Sequence, residues 1–349
     1  MNVKTAIILT FSKDDNRGAN LQAYALKKSL EQLGVDVRFL DIQLPKKKAN
    51  IKGQIVERIK NWCAISFRKR FGFKYTEEYT NAQELCTNPP KADLFIVGSD
   101  QVWNPDITKK LDPRIYFFSF LSDDVRRISY AASFGKSQWN MTEYDNDISV
   151  LLSKFYKISV REDSGIDICK DVFGISNVDE CVDPSLLLSG SDLLNIIGGR
   201  YKPQKHIYSY LLYKSNAVYD IIDDIACQTN LRIVGEYRNN SLVDKLSGLH
   251  GIETWIRNIA EAALVVTNSF HTTVVSILLH KNFVVVPPVD GRETRLISLL
   301  SKLGVKDRYI GYNSDVDINN LSSINYDRID SKITELKRLS LKFIADSIK

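Results

Sequence analysis

Short apolar runs alternate with amphipathic segments along almost the whole chain, and this alternation limits the possible folds more than any other feature of the sequence. Val3 to Thr10 has the length and the β-branched residues of a buried strand. Alanines and leucines then recur at helical spacing from Ala19 to Leu33, and Gly34 marks the end of that helix. Repeated strand–helix–strand units predict an α/β protein whose mostly parallel sheets are covered by helices on both faces.

Two series of such units follow one another, and the polar, glycine-containing stretch 198–203 separates them. The predicted strands are 3–10, 35–41, 93–98, 127–132 and 156–161 in the first series, and 206–212, 232–235, 264–267 and 283–286 in the second. Because 349 residues exceed what one hydrophobic core usually serves, we predict two doubly wound Rossmann-like domains that face a cleft, residues 1–198 and 199–330. The tail 331–349 is a predicted helix that can pack back across the domains.

Composition and charge exclude several classes of protein. The formal net charge of +5 is too small to indicate a nucleic-acid partner. The apolar runs are strand-sized and too short to span a bilayer, and the N-terminal run lacks a signal-peptide cleavage site. The five cysteines are odd in number, scattered, and never at zinc-ligand spacing, which predicts reduced thiols, a cytoplasmic location and no bound metal.

A basic insertion is predicted over residues 46–75. Between Lys46 and Lys74 the chain has ten basic residues and one acid, Glu57, with isoleucines, phenylalanines and Trp62 interleaved. Such a segment can lie on an anionic membrane at the cytoplasmic face. It can equally be a solvated helical insertion whose apolar side packs on its own domain, and the sequence leaves both interpretations open.

Polar side chains follow the first predicted strand. Asn16, Asn20 and Gln22 can donate and accept hydrogen bonds, as a sugar or a phosphate requires, and Gly18 stands just before a helix whose free N–H groups attract anions. We predict that they bind substrate. The alternative is ordinary N-capping of that helix by Asn16 or Asp15.

A denser polar group follows the strand at 93–98. It consists of Ser99, Asp100, Gln101 and Asn104, together with Trp103. Ligands of doubly wound folds bind at the carboxyl ends of strands, so we predict that these residues line the cleft, with Trp103 stacked on a sugar face. The alternative is a tight turn in which Trp103 fills the core.

Three cationic or titratable side chains are candidates for binding an anion. Arg161 ends a predicted strand, and its guanidinium fits a carboxylate or phosphate unless it forms a structural ion pair with a nearby acid. His271 opens a predicted helix beside Ser269 and can be a proton donor, an anion ligand or a structural residue. Arg292 follows a glycine turn and can close on a phosphate.

Several of these segments together resemble the polysaccharide pyruvyl transferase family in order and spacing, over most of the chain up to residue 303. The most specific piece is the run Gly-Ser-Asp-Gln-Val-Trp-Asn-Pro at 98–105, and the others lie at 16–26, 128–135, 159–162, 182–188 and 269–271. This chain departs from the family at Thr272, where many relatives have glycine, and it lacks the arginine that another branch has before the Phe/Leu-His pair. Arg292 is then a candidate for meeting the phosphate.

The resemblance implies a two-domain fold like that of B-type glycosyltransferases (GT-B-like), with the active cleft between the domains. It also implies phosphoenolpyruvate as donor, no other cofactor, no metal requirement, and a saccharide acceptor of surface polysaccharide synthesis, which can be lipid-linked. The positions of Arg161 and His271 match the family's donor-site candidates. We therefore expect Arg161 to hold the donor anion and His271 to act as general acid or base, with Asp100 next in line.

Two other functions fit the same fold. A nucleotide-sugar glycosyltransferase would use the same pair of domains, and fold alone does not separate it from a pyruvyl transferase. A non-catalytic saccharide-binding or assembly protein would use the same polar residues without turnover.

Overall fold

The computed structural model describes residues 3–43, 51–109, 111–238, 251–288, 293–312, 317–318 and 323–349. The chain divides into two compact units. One comprises Met1–Ile55, Ile65–Leu187 and Glu335–Lys349, and the other comprises Val56–Ala64 and Leu188–Thr334.

The strands and helices up to residue 187 are, in chain order, β1 (Thr5–Leu9), α1 (Arg17–Glu31), β2 (Asp36–Ile42), α2 (Ile51–Arg70), β3 (Tyr75–Tyr79), α3 (Ala82–Thr87), β4 (Leu94–Val97), α4 (Pro105–Thr108), β5 (Arg127–Ser129), α5 (Asp145–Ser153), β6 (Ile158–Val160), α6 (Asp163–Asp171) and β7 (Val178–Glu180). Strands β3-β2-β1-β4-β5 form a parallel sheet in that order. Isolated bridges from Ile128 to Lys157 and from Ala132 to Val160 extend it to the parallel pair β6-β7. The strand order reverses between β1 and β4, which is the switch point where such sheets bind ligands.

Alternating residues of the central strands supply the two faces of this sheet. In β1, Ile7 and Leu9 belong to one hydrophobic cluster, whereas Ala6 and Ile8 belong to another. Strand β4 divides in the same way, since successive side chains of a strand point to opposite faces. Both faces are apolar because helices cover both, and this is why the central strands are nearly continuous hydrophobic runs.

The basic segment is not an insertion. Helix α2 is the crossover helix between β2 and β3, and β3 pairs parallel with β2. Phe67 is fully buried, and the ring of Phe73 stacks on Phe39 with centroids 4.8 Å apart. We did not predict β3 because its exposed glutamates hide the strand pattern. Of the basic residues, Lys46 to Lys48 lie outside the described residues.

The remaining elements are α7 (Gly190–Ile196), β8 (His206–Tyr210), α8 (Asn216–Thr229), β9 (Arg232–Gly235), α9 (Ile252–Glu261), β10 (Leu264–Thr267), α10 (Phe270–Leu278), β11 (Phe283–Val285), α11 (Thr294–Leu303) and α12 (Tyr326–Ser347). Strands β11-β10-β8-β9 form a second parallel sheet in that order, and its reversal lies between β8 and β10.

The second unit begins before the predicted boundary at 198–199. Helix α7 packs against α9 and α10, and a Cβ atom on Gly190 would lie 2.5 Å from the carbonyl oxygen of Leu278. The polar stretch that suggested the boundary therefore follows the first helix of the second unit.

Helix α12 is longer than the predicted 331–349, and its last part belongs to the first unit. Phe343 and Ile344 join a core cluster there, and Ser340 Oγ accepts a hydrogen bond of 3.0 Å from the backbone N–H of Val182. Within the part of the chain that the structure describes, no helix is long and apolar enough to cross a membrane.

Candidate functional site

The loops after β1 and β4 meet at the switch point of the first sheet. Gln22 Nε2 donates a hydrogen bond of 2.9 Å to Thr10 Oγ1, and Thr10 Oγ1 donates one of 3.0 Å to the carbonyl oxygen of Ser99. Ser99 Oγ in turn donates to the carbonyl oxygen of Ala131 at 2.7 Å. Gln22 and Ser99 are fully buried, so they hold the loops in place. This differs from the prediction that they line a binding surface.

The predicted asparagines shape the loop that carries Asp14. Asn16 caps α1, because its Oδ1 accepts hydrogen bonds from the N–H groups of Gly18 and Ala19 at 2.9 and 3.2 Å. Asn20 is fully buried and its Nδ2 donates to the carbonyl oxygens of Asp14 and Asn16 at 2.7 and 2.8 Å. Asn16 thus has the capping role that was the alternative interpretation, and Asn20 is a structural residue.

Asp100 stands at the carboxyl end of β4 with a partly exposed side chain. Its φ of +69° lies in the left-handed region, which aspartate tolerates better than most residues. One carboxyl oxygen accepts a hydrogen bond of 2.9 Å from the Gln101 N–H and lies 3.7 Å from Arg161 Nη2. Asp100 is therefore a fixed carboxylate at the edge where ligands of this fold bind.

Arg161 lies in a buried cluster of carboxylates, with only 2% of its side chain exposed. Its Nη1 donates to Asp183 Oδ2 at 2.6 Å, while Nε lies 3.6 Å from Glu162 Oε2. Burial opposes the charge of this guanidinium, but the carboxylates of Asp183, Glu162 and Asp100 outweigh it and raise the Arg161 pKa. Three carboxylates around one guanidinium leave a formal charge of about −2, which repels an anionic donor. We therefore correct the predicted role: Arg161 forms the structural ion pair.

Asp183 belongs to this cluster, although the sequence did not single it out as a candidate. Its Oδ1 accepts hydrogen bonds from the N–H and Oγ of Ser185 at 3.0 and 2.6 Å. Its Oδ2 accepts from Arg161 and, at 3.4 Å, from Ser99 Oγ. The motif at 182–188 contains this aspartate, but only the fold brings it to Arg161.

Asp14 and Asp15 add further negative charge at the end of β1. Although part of Asp14 is exposed, burial of its carboxyl, a hydrogen bond with Asp15 and the charge of Asp15 raise its pKa to about 6. The charge of Asp100 acts in the same direction, so the loops after β1 and β4 are close enough to interact. This edge of the first sheet suits sugar hydroxyls better than phosphate.

Trp103 fills the core and does not stack on a ligand. It is 1% exposed, its ring stacks on Phe117 with centroids 5.1 Å apart, and its Nε1 donates to the carbonyl oxygen of Tyr116 at 3.0 Å. The prediction of a sugar platform was wrong because aromatic residues further along the chain pack around the indole. The local sequence does not show that these residues are its partners.

Asn104 and Gln101 support the same loop. Asn104 Oδ1 caps α4 by accepting from the Asp106 N–H at 3.0 Å, and its Nδ2 donates to Gln101 Oε1 at 2.7 Å. Asn104 is buried, whereas Gln101 is half-buried. Gln101 therefore remains a candidate for binding, and Asn104 positions it.

The second sheet has its own polar switch point. Asn268, which the sequence did not single out, joins the loops after β8 and β10: its Oδ1 accepts from the Leu212 N–H at 2.8 Å, and its Nδ2 donates to the Tyr213 carbonyl at 2.7 Å. Ser269 caps α10 through a long hydrogen bond of 3.4 Å from the Thr272 N–H. Ser269 is thus buried in a structural role rather than in the predicted binding role.

His271 lies in the first turn of α10, where the positive end of the helix favours an anion. The residue is buried, and its ring is perpendicular to that of Phe270 with centroids 5.4 Å apart. Thr272, which stands where many relatives have glycine, is buried and its Oγ1 accepts from Trp255 Nε1 at 3.3 Å. Arg292 lies outside the described residues.

Solved structures with a similar fold include two epimerases. A putative UDP-N-acetylglucosamine 2-epimerase from Listeria monocytogenes is 10% identical with a TM-score of 0.53, over 100% of this chain and 96% of that one. The UDP-GlcNAc 2-epimerase from Neisseria meningitidis bound to UDP-GlcNAc is 12% identical with a TM-score of 0.53, over 99% of both chains. At such identities the likeness shows the fold alone, and no curated protein sequence matches this chain.

The fold and its two polar switch points define a mixed α/β protein of the GT-B-like class. The model of the polysaccharide pyruvyl transferase family matches residues 16–290, which is most of the chain. The protein belongs to that family, as the sequence motifs predicted.

Proposed function

We propose that this protein transfers a pyruvyl group from phosphoenolpyruvate to two hydroxyls of a saccharide and thereby forms a pyruvate ketal. The observation that carries the proposal is the position of His271, in the first turn of α10 at a switch point, in a chain of the polysaccharide pyruvyl transferase family. Family membership supports a saccharide acceptor, and we extend it to an acceptor of surface polysaccharide synthesis on the cytoplasmic side of the membrane.

The reaction needs a proton donor and a base. The oxygen of one hydroxyl bonds to C2 of phosphoenolpyruvate while C3 gains a proton and becomes a methyl group. The oxygen of the second hydroxyl then bonds to C2 as the C2–O bond to phosphate breaks. The two hydroxyls lose two protons, of which C3 takes up the equivalent of one and the departing phosphate the other.

The described residues support different roles for the two switch points. Phosphoenolpyruvate carries a phosphate and a carboxylate, so we assign donor binding to the N-terminus of α10, with His271 as the general acid or base. The carboxylate of Asp100 can accept a proton from an acceptor hydroxyl. Arg161 then acts through Asp100, which it holds in place, rather than on the donor.

The direct test is product formation. The protein is incubated with phosphoenolpyruvate and a panel of soluble and lipid-linked oligosaccharides, and mass spectrometry is used to find the pyruvyl adduct with release of phosphate. We expect His271→Asn to lower kcat by about 10²–10⁴-fold, the usual contribution of a general acid or base. The matched control is His280→Asn, because His280 is exposed and pairs with Asp330 at 3.0 Å.

Two results would contradict the proposal. One is transfer of a sugar from UDP- or GDP-sugars with no consumption of phosphoenolpyruvate, which would make the protein a glycosyltransferase. The other is a thermal stabilisation by UDP or GDP but not by phosphoenolpyruvate, since a ligand stabilises only the folded protein that binds it.

A further inference from the structure

One face of α2 exposes large apolar side chains to solvent. Trp62 is 69% exposed, Ile65 is 54% exposed and Ile59 is 36% exposed. Trp62 is the most exposed large hydrophobic residue of the described chain, although a tryptophan is usually highly buried in a soluble protein.

Helical geometry places these side chains on one side of α2 and the packing residues on the other. Ala64, Phe67 and Arg68 are buried, and Arg68 Nη1 donates to the carbonyl oxygen of Ser12 at 3.0 Å. Positions 58, 62, 65 and 69 are spaced by four, three and four residues, which keeps them on one face. The outer face of α2 is therefore Arg58, Ile59, Trp62, Ile65 and Lys69.

The charge of this face is positive. Arg58 and Lys69 are exposed at its two ends, and residues 58–70 contain no acid. The chain around it, from Lys46 to Lys74, has ten basic residues and one acid. A surface that combines a solvent-exposed indole, two isoleucines and two exposed cations is complementary to an anionic bilayer surface, where apolar side chains enter the headgroup layer and cations remain above it.

We infer that the outer face of α2 binds the surface of a membrane that contains anionic lipids. Trp62 and Ile65 insert at the level of the headgroups, where the indole ring has both an apolar body and an N–H donor. Arg58 and Lys69 hold the helix to the negative surface potential. This contact brings the enzyme to an acceptor carried on a lipid, a consequence that rests on the proposed function.

Vesicle flotation tests the inference. Wild-type protein is mixed with vesicles of phosphatidylcholine alone or of equal parts phosphatidylcholine and phosphatidylglycerol, at low and at high salt. We expect binding to the anionic vesicles that weakens as salt screens the charges. Absence of binding to them, or equal binding to the neutral ones, would overturn the inference.

Two double variants separate the apolar and the ionic contributions. Trp62→Gln with Ile65→Gln is expected to reduce partitioning onto anionic vesicles by about 100-fold, because burial of each large apolar side chain is worth a factor of about 10 or more. Arg58→Gln with Lys69→Gln is expected to reduce it by about 25-fold, since each cation near an anionic surface contributes a factor of about 5.

The chain offers matched controls. Val150→Gln changes an apolar residue that is 58% exposed on α5, and Lys91→Gln with Lys109→Gln removes two exposed cations elsewhere. These variants should bind vesicles as the wild type does, and an equal loss of binding would show that the outer face of α2 has no special role. If Trp62→Gln with Ile65→Gln instead converted a dimer to a monomer and left vesicle binding intact, the face would be a contact between copies.

The test of vesicle binding is independent of the proposed chemistry. Pyruvyl transfer to a soluble saccharide should be the same in wild type and in Trp62→Gln with Ile65→Gln, because neither residue belongs to a switch point. Vesicle binding without any pyruvyl transfer would leave this inference standing and remove the proposed function.

Discussion

Replacement of Arg161 by lysine tests the buried ion-pair cluster at the first switch point. Lysine keeps the positive charge but replaces a planar fork with one compact ammonium group. The guanidinium lies 2.6 Å from Asp183, 3.6 Å from Glu162 and 3.7 Å from Asp100 through three different nitrogens. A single ammonium cannot keep all three of these distances.

The cost follows from burial. A hydrogen bond to a charged group contributes about 1.5–3 kcal/mol, and a buried carboxylate that loses its partner adds a desolvation penalty. We therefore expect Arg161→Lys to lower the free energy of unfolding by about 2–4 kcal/mol. For a unit of about 200 residues this corresponds to a fall of about 5–15 °C in melting temperature.

Arg114→Lys is the matched control. Arg114 also contacts two carboxylates, Asp112 and Asp147, both at 2.8 Å, but its side chain is 40% exposed. Exposed ion pairs of this kind contribute at most about 1 kcal/mol. Urea unfolding followed by tryptophan fluorescence should therefore separate the two variants by more than about 1 kcal/mol, and equal losses would refute the cost assigned to the buried cluster.

Kinetics test the corrected role of Arg161. If it positions Asp100, the folded Arg161→Lys variant should lose kcat with little change in the KM for phosphoenolpyruvate. A large rise in that KM at unchanged kcat would make Arg161 a donor ligand after all.

Four further predictions concern single substitutions. Trp103→Phe should destabilise the protein by about 1–3 kcal/mol in urea unfolding and leave the acceptor KM unchanged, because the indole is a core residue. Ser269→Ala should cost about 1 kcal/mol through loss of the α10 cap, measured in the same way. Asp14 has a pKa of about 6 in the folded protein, above its ordinary value of 3.8, so its charged form destabilises the fold once the pH exceeds about 6. Asp14→Asn should therefore raise the melting temperature near neutral pH but not at about pH 4. Asp15→Asn should lower the Asp14 pKa, as measured by carboxyl NMR titration.

The local sequence determined most of the secondary structure. The strands Arg232–Gly235 and Leu264–Thr267 have the predicted bounds. These elements are short apolar runs between clear turn residues, so nearest neighbours in the chain are sufficient to define them. Strand Tyr75–Tyr79 was missed because it is an edge strand with exposed glutamates, and only its pairing with β2 makes it a strand.

The motifs also located both switch points and the family, since each polar group directly follows a strand. The tertiary structure alone decided which of those polar groups are accessible. Trp103, Asn20 and Gln22 are indistinguishable from ligand-binding residues in sequence, yet each is buried with partners from distant segments or the preceding loop. Arg161 acquires its role from Asp183, which lies 22 positions further along the chain. Burial and charge pairing depend on contacts between segments far apart in sequence, and for that reason only the fold assigned them.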